Sequence, residues 1–147
     1  MFVVDTNILV HAANKKSPNH ARSRAILDEW LEGAYAFHLT WGIVYEFLSV
    51  VTHRSVFAKP LSFAEALAFI DSILENRRVE VLSDGLGHAE ELRRAAKELP
   101  ALSGGRFHDL HTALLMRENG LDDLRTEDTD FHRFPWIRPT NPLLVKP

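Results

Sequence analysis

At 147 residues the chain falls within the ~100–200 residues of one ordinary domain, and its 46% apolar and 25% charged composition is that of a globular protein able to bury a core without a disulfide or structural metal. The absence of cysteine excludes a disulfide framework, a thiolate zinc site and a cysteine nucleophile, and it fits a reducing cytoplasm. A net charge of −3, from 20 acidic against 17 basic residues, argues against a DNA-coating protein and falls short of the acidity of a disordered chain. The start, Met1-Phe2-Val3-Val4-Asp5, carries no cationic leader segment, and the longest stretch free of Lys, Arg, Asp and Glu, Gly33 to Tyr45, is shorter than the ~20 residues of a membrane span.

Phe2-Val3-Val4 is apolar without alternation, the pattern of a strand buried on both faces of a parallel sheet. Asn19 to Glu32 predicts a helix, with Ala21, Ala25, Ile26 and Trp30 on one face and Gly33 as its stop. Tyr35 to Leu39 predicts a second strand, and Thr40 then caps a helix through Trp41, Val44, Tyr45, Leu48 and Val51. Ser62 with Glu65 three residues on forms a capping box before a helix over Phe63–Glu75. Val79 to Leu82 is a third strand and Leu86 to Leu99 a helix closed by Pro100. After the Ser103-Gly104-Gly105 loop come a helix over Phe107–Asn119 ended by Gly120, a polar strand over Leu121–Thr126, and an edge strand at Trp136-Ile137 between Pro135 and Pro139. Strands alternating with helices predict an α/β fold with a mostly parallel central sheet of four to five strands. In such sheets ligands bind outside the carboxyl ends of the strands, which directs attention to residues just past each strand.

Carboxylates occupy those places. Asp5 ends the first strand, where a plain helix cap is the alternative reading. Glu46 is the one charged residue between Trp41 and Thr52, in a helix whose neighbours Ile43, Val44, Phe47 and Leu48 predict burial, where a carboxylate is costly unless a cation meets it. The alternative is that it faces water along the stripe Gly42, Glu46, Ser49 and His53. Asp109 stands near a helix start, which the helix dipole alone would favour. Glu127, Asp128 and Asp130 follow the fourth strand, in a segment that also reads as a solvated turn. Three or four carboxylates brought together cannot all stay ionised without a counter-charge, oxygen ligands suit Mg²⁺ or Mn²⁺, and the chemistry this favours is phosphodiester hydrolysis with one metal or two.

The ordered set Val3-Val4-Asp5-Thr6-Asn7, Glu46 in its apolar helix, Asp109 after Gly104-Gly105, Thr126-Glu127-Asp128-Thr129-Asp130-Phe131, Arg133-Phe134-Pro135 and Asn141-Pro142-Leu143 resembles a PIN-domain ribonuclease, and more narrowly the VapC toxins of VapBC toxin–antitoxin pairs. The resemblance spans residues 1–147 as a single PIN domain and implies a three-layer α/β/α fold. It implies a cytoplasmic Mg²⁺- or Mn²⁺-dependent endoribonuclease, neutralised by a VapB-type antitoxin and forming a homodimer. Matched residue by residue, Asp5, Glu46, Asp109 and Asp128 correspond to the acidic quartet that catalyses and binds metal, with Asp130 competing for the fourth place. Thr6, Asn7 and Thr126 correspond to positions that shape the site. Leu110 in place of a small residue, and the polar Leu121–Arg125 strand, depart from the family pattern.

Lys15, Lys16, Arg22 and Arg24 could meet RNA phosphates or form a solvated helix face, and Arg106, His108 and His111 surround Asp109. His108 and His111, three apart with no cysteine and no His-Glu-x-x-His pattern, make a weak zinc motif. Trp30, Trp41 and Trp136 read as core or interface residues. The rival to an enzyme is a catalytically inactive PIN-like module that binds protein or RNA. A phosphoacceptor receiver is disfavoured, because Asp5 is followed by Thr6 and the late Lys, Lys146, sits near the terminus.

Overall fold

The computed structural model describes residues 1–144, so Lys146 lies outside the described residues. Five strands, β1 (Phe2–Val4), β2 (Phe37–Thr40), β3 (Val79–Leu82), β4 (Asp123–Arg125) and β5 (Arg138–Thr140), form one sheet in the order β3-β2-β1-β4-β5, with every pairing parallel. Six helices connect them: α1 (Thr6–Ala13), α2 (His20–Glu32), α3 (Trp41–Val51), α4 (Phe63–Leu74), α5 (His88–Glu98) and α6 (Arg106–Glu118). A short 3₁₀ turn, Thr129–Arg133, precedes β5. The parallel α/β architecture agrees with the expectation from sequence.

Strand β1 is central, and Val3 and Val4 are completely buried. From β1 the chain moves outward to β2 and β3 on one side, then crosses to β4 and β5 on the other. The order therefore reverses beside β1, and the crevice at its carboxyl end, between β1 and β4, is the topological switch point of the sheet.

Helix α1 is absent from the reading of the sequence. It starts with no intervening loop, because Asp5 ends β1 and its carboxylate caps α1 by accepting from the Thr6 N–H at 2.8 Å. Its buried residues Ile8, Leu9 and Ala12 follow a helical period that the eight-residue length hides. The last strand also lies elsewhere. It spans Arg138–Thr140 rather than Trp136-Ile137, with Pro139 inside it. At this edge the Arg138 N–H donates to Asp122 O and Thr140 O accepts from Thr126 N–H, so the backbone of Pro139 faces away from β4 and loses no ladder bond. The polarity of β4 is met locally: Leu124 is fully buried, while Asp123 pairs with Arg125 at 2.8 Å.

The caps read from sequence form as expected. The Thr40 hydroxyl accepts from Ile43 N–H at 3.1 Å. Gly120, with φ +67°, takes the left-handed conformation that ends α6. Ser62 accepts from Glu65 N–H while Glu65 accepts from Ser62 N–H at 2.7 Å, a complete capping box. Ser62 is exposed, and its cap is confined to the start of α4. Ser62→Ala is therefore expected to cost about 1 kcal/mol of stability in urea unfolding.

Candidate active site

The carboxyl ends of β1 and β4 bring Asp5 and Thr126 into direct contact across the switch point. The Thr126 hydroxyl donates to Asp5 Oδ2 at 2.6 Å and accepts from the Asn7 side-chain amide at 2.8 Å and from Asp128 N–H at 2.9 Å. Its one donor and two acceptor sites are thus all used. Asn7 also donates to Asp5 Oδ2 at 2.6 Å, and its Oδ1 accepts from Glu127 N–H at 3.3 Å. Thr6 donates to Glu46 Oε2 at 2.7 Å, orienting that carboxylate from the adjacent helix. Thr6, Asn7 and Thr126 therefore fix three separate chain segments around one point.

Asp5, Glu46, Asp109 and Asp128 line a single cleft of about 290 Å³, together with His11 and Glu127. Asp5 is buried. Asp109 is half-buried in the first turn of α6, so the favourable helix-dipole position and a place in the cleft are both realised. Glu46 corrects the expectation of a buried carboxylate: it is exposed. Helix α3 buries Ile43, Val44, Phe47 and Val51, and turns Glu46 outward with Gly42, Tyr45 and Ser49. The exposed aromatics Trp41 and Tyr45 made the whole segment look apolar in sequence.

Asp128 caps the 3₁₀ turn through Asp130 N–H at 2.7 Å and stays on the cleft. Asp130 instead pairs with Arg133 at 2.9 Å. Among the described residues, Asp5, Glu46, Asp109 and Asp128 form no ion pair with any Lys, Arg or His.

The electrostatic consequence is direct. Burial, augmented by the charges of Glu46 and Asp109, pushes the Asp5 carboxyl up to about 7, against the opposing hydrogen bonds from Thr126 and Thr6. Burial, then repulsion from Asp128 and Glu46, pushes Asp109 up to about 6, with Arg133 opposing. An uncompensated carboxylate group with hard oxygen donors fits a divalent cation such as Mg²⁺ or Mn²⁺. The 2.6 Å contact between His11 Nε2 and Glu127 on the rim was not singled out from sequence, although His11 stands four residues after Asn7 on the same face of α1.

The basic residues considered for RNA divide by task. Arg22 donates to Pro142 O at 3.0 Å and Arg24 pairs with Asp28, while Lys15 and Lys16 are exposed. His108 and His111 line a second pocket of about 350 Å³ that continues from Asp5, Glu46 and Asp109 along α3. Trp30 packs on Phe2, and Trp136 donates to Ala113 O, whereas Trp41 is exposed beside Tyr45.

Residues 2–137 match the family model described as PIN domain. The chain belongs to the PIN-domain family. It is 29% identical over 138 residues to Ribonuclease VapC48 of Mycobacterium tuberculosis, covering 94% of each chain, and 31% identical over 143 residues to Ribonuclease VapC43 of the same species, covering 97% of this chain and 96% of the relative. In fold it is similar to VapC20 of Mycobacterium tuberculosis, a Sarcin-Ricin loop cleaving toxin, with a TM-score of 0.62, 18% identity, and coverage of 95% of this chain and 100% of that one. VapBC2 of Rickettsia felis, bound to a DNA fragment from its promoter, gives a TM-score of 0.62 at 19% identity, covering 95% of this chain and 97% of that one. This PIN domain is thus of the VapC type. No helix among its described residues is long and apolar enough to cross a membrane.

The raised Asp5 carboxyl makes stability depend on pH with a defined sign. Folding raises its pKa from the ordinary 3.8 to about 7, so its contribution is complete below pH 3.8 and is lost as pH rises through about 7. The metal-free protein is expected to melt at progressively lower temperature from about pH 5 to about pH 8. If the ionised carboxylates hold Mg²⁺, the ion should raise Tm more at the upper end. A Mg²⁺ effect on Tm that is equal at both pH values would contradict this site.

Proposed function

We propose that this VapC-type PIN domain is a Mg²⁺- or Mn²⁺-dependent endoribonuclease toxin, and that Asp5, Glu46, Asp109 and Asp128 form its catalytic, metal-holding set. The observation that carries the reading is the gathering of four carboxylates at the switch point with no ion-pair partner among the described residues, two of them pushed well above the ordinary carboxylate range. When bound, the divalent cation would lower the pKa of a water and stabilise charge on the phosphodiester. The chain's own groups supply the rest. Thr126, Asn7 and the Thr6 N–H hold the Asp5 carboxylate in one orientation, which removes the cost of ordering it at each turnover. Thr6 aims Glu46 at the same point, and Thr126 sets the backbone that carries Asp128. Asp5 and Asp109 must lose their protons to act as ligands, so activity should rise with pH through about 6 to 7. Asp130, neutralised by Arg133, is assigned no ligand role.

The substrate is RNA, on the strength of the VapC ribonuclease relatives, and the open, exposed Glu46 and Asp128 leave the cleft accessible to a strand. A VapB-type antitoxin as inhibitor, a homodimer and a cytoplasmic site of action follow the same resemblance, with VapBC2 as a structural neighbour.

The test is cleavage of RNA by purified protein with Mg²⁺, with and without chelator. Asp5→Asn and Asp109→Asn are expected to lose about a hundredfold or more, equivalent to ~3 kcal/mol of transition-state stabilisation. Asp130→Asn should remain within roughly threefold, equivalent to under ~1 kcal/mol. Wild-type rates in the Asp5 and Asp109 variants would overturn this catalytic set, and no cleavage by the wild-type protein with Mg²⁺ would favour an inactive binding module instead.

A further inference from the structure

Asp84, His88 and His111 come together outside the acidic cleft, each contributing a ligand-type atom within 4.8 Å of the others. They come from three elements: Asp84 lies just past β3, His88 opens α5, and His111 sits on α6 two residues beyond Asp109. His111 Nε2 meets Asp84 Oδ1 at 3.1 Å, and the two imidazole rings meet edge-to-face at 5.4 Å. The sequence pairs His111 with His108, but the fold pairs it with His88.

The surroundings preorganise this group. Glu118 is nearly buried and spends both oxygens here: Oε1 meets His88 Nδ1 at 2.7 Å, and Oε2 accepts from Gly85 N–H at 3.0 Å. A carboxylate on Nδ1 holds the proton there and leaves Nε2 with a free lone pair, the arrangement that typically orients a metal-ligating histidine. The Gly85 bond fastens the loop carrying Asp84 to the same carboxylate.

We propose that Asp84, His88 and His111 form a second metal site, selective for a borderline transition ion of the Zn²⁺ class rather than Mg²⁺. Two imidazoles and one carboxylate are the donor set that Zn²⁺, Co²⁺ and Ni²⁺ prefer, whereas Mg²⁺ demands oxygen. Three protein ligands leave a fourth position open to water. The ion would tie the β3–α5 loop to α6 and so steady the helix that carries Asp109.

The test is titration of the protein with Zn²⁺ alone and with Co²⁺ alone, the latter followed by visible absorption. The Asp5→Asn/Asp109→Asn double variant removes the acidic cleft as a competitor, and wild type in excess Mg²⁺ serves the same end should that variant fold poorly. One saturable equivalent is expected in both, with tetrahedral-type Co²⁺ bands. His88→Gln and His111→Gln should weaken Zn²⁺ at least tenfold, and Glu118→Gln by roughly tenfold to a hundredfold, each with unchanged circular dichroism. The absence of saturable Zn²⁺ binding, or binding indifferent to His88→Gln and His111→Gln, would overturn the site and leave a histidine–carboxylate hydrogen-bond network.

Discussion

The Asp5 carboxylate is buried at the end of the central strand with three hydrogen-bond donors and, among the described residues, no basic side chain paired with it. Hydrogen bonds lower its pKa, yet burial and the neighbouring carboxylates raise it further, and the second effect wins. Without metal the group is about half protonated near pH 7. With a divalent cation the same geometry becomes a ready-made ligand. Much of the surrounding structure serves to keep Asp5 in that position: Thr126 spends its whole hydrogen-bonding capacity on it and on the two groups beside it, and Asn7 spends both amide protons.

The sheet topology explains why such a costly arrangement occurs in one place. Because β1 is flanked by β2 and β4, the segments leaving the sheet beside Asp5 diverge and open the crevice that Asp5 lines. Helices α3 and α6 border that crevice and supply Glu46 and Asp109. The cluster is a local stability cost, the form of compromise between stability and function expected of the proposed metal site. The net charge of −3 argued against a nucleic-acid partner when taken over the whole chain. Four of the acids now sit in one cleft, where bound cations would offset them.

Several features were legible because they depend on short-range rules. Asp5 follows a strand of three buried apolar residues, the Ser62–Glu65 box is a local spacing, and the parallel sheet follows from alternating elements. The misreadings have a common origin in features that only packing decides. Glu46 looked buried because Trp41 and Tyr45 are apolar yet face outward. Helix α1 was hidden because Asp5 serves as strand end and helix cap at once. Strand β5 was displaced because which way the Pro139 backbone faces depends on the register with β4. The separation of Asp128 from Asp130 needed Arg133, whose reach to Asp130 sequence alone did not reveal. The His88–His111 encounter joins helices α5 and α6, and no spacing within either helix announces it.

On the proposed reading, the carboxyl cluster exchanges protons for a divalent cation. Calorimetric titration of Mn²⁺ into the metal-free protein near pH 6.5, repeated in buffers of different ionisation enthalpy, measures the protons released on binding. With Asp5 at about 7 and Asp109 at about 6, binding should release close to one proton per protein, and Asp109→Asn should reduce that number. Binding without proton release would contradict the account, and so would the same release from Asp5→Asn and from wild type.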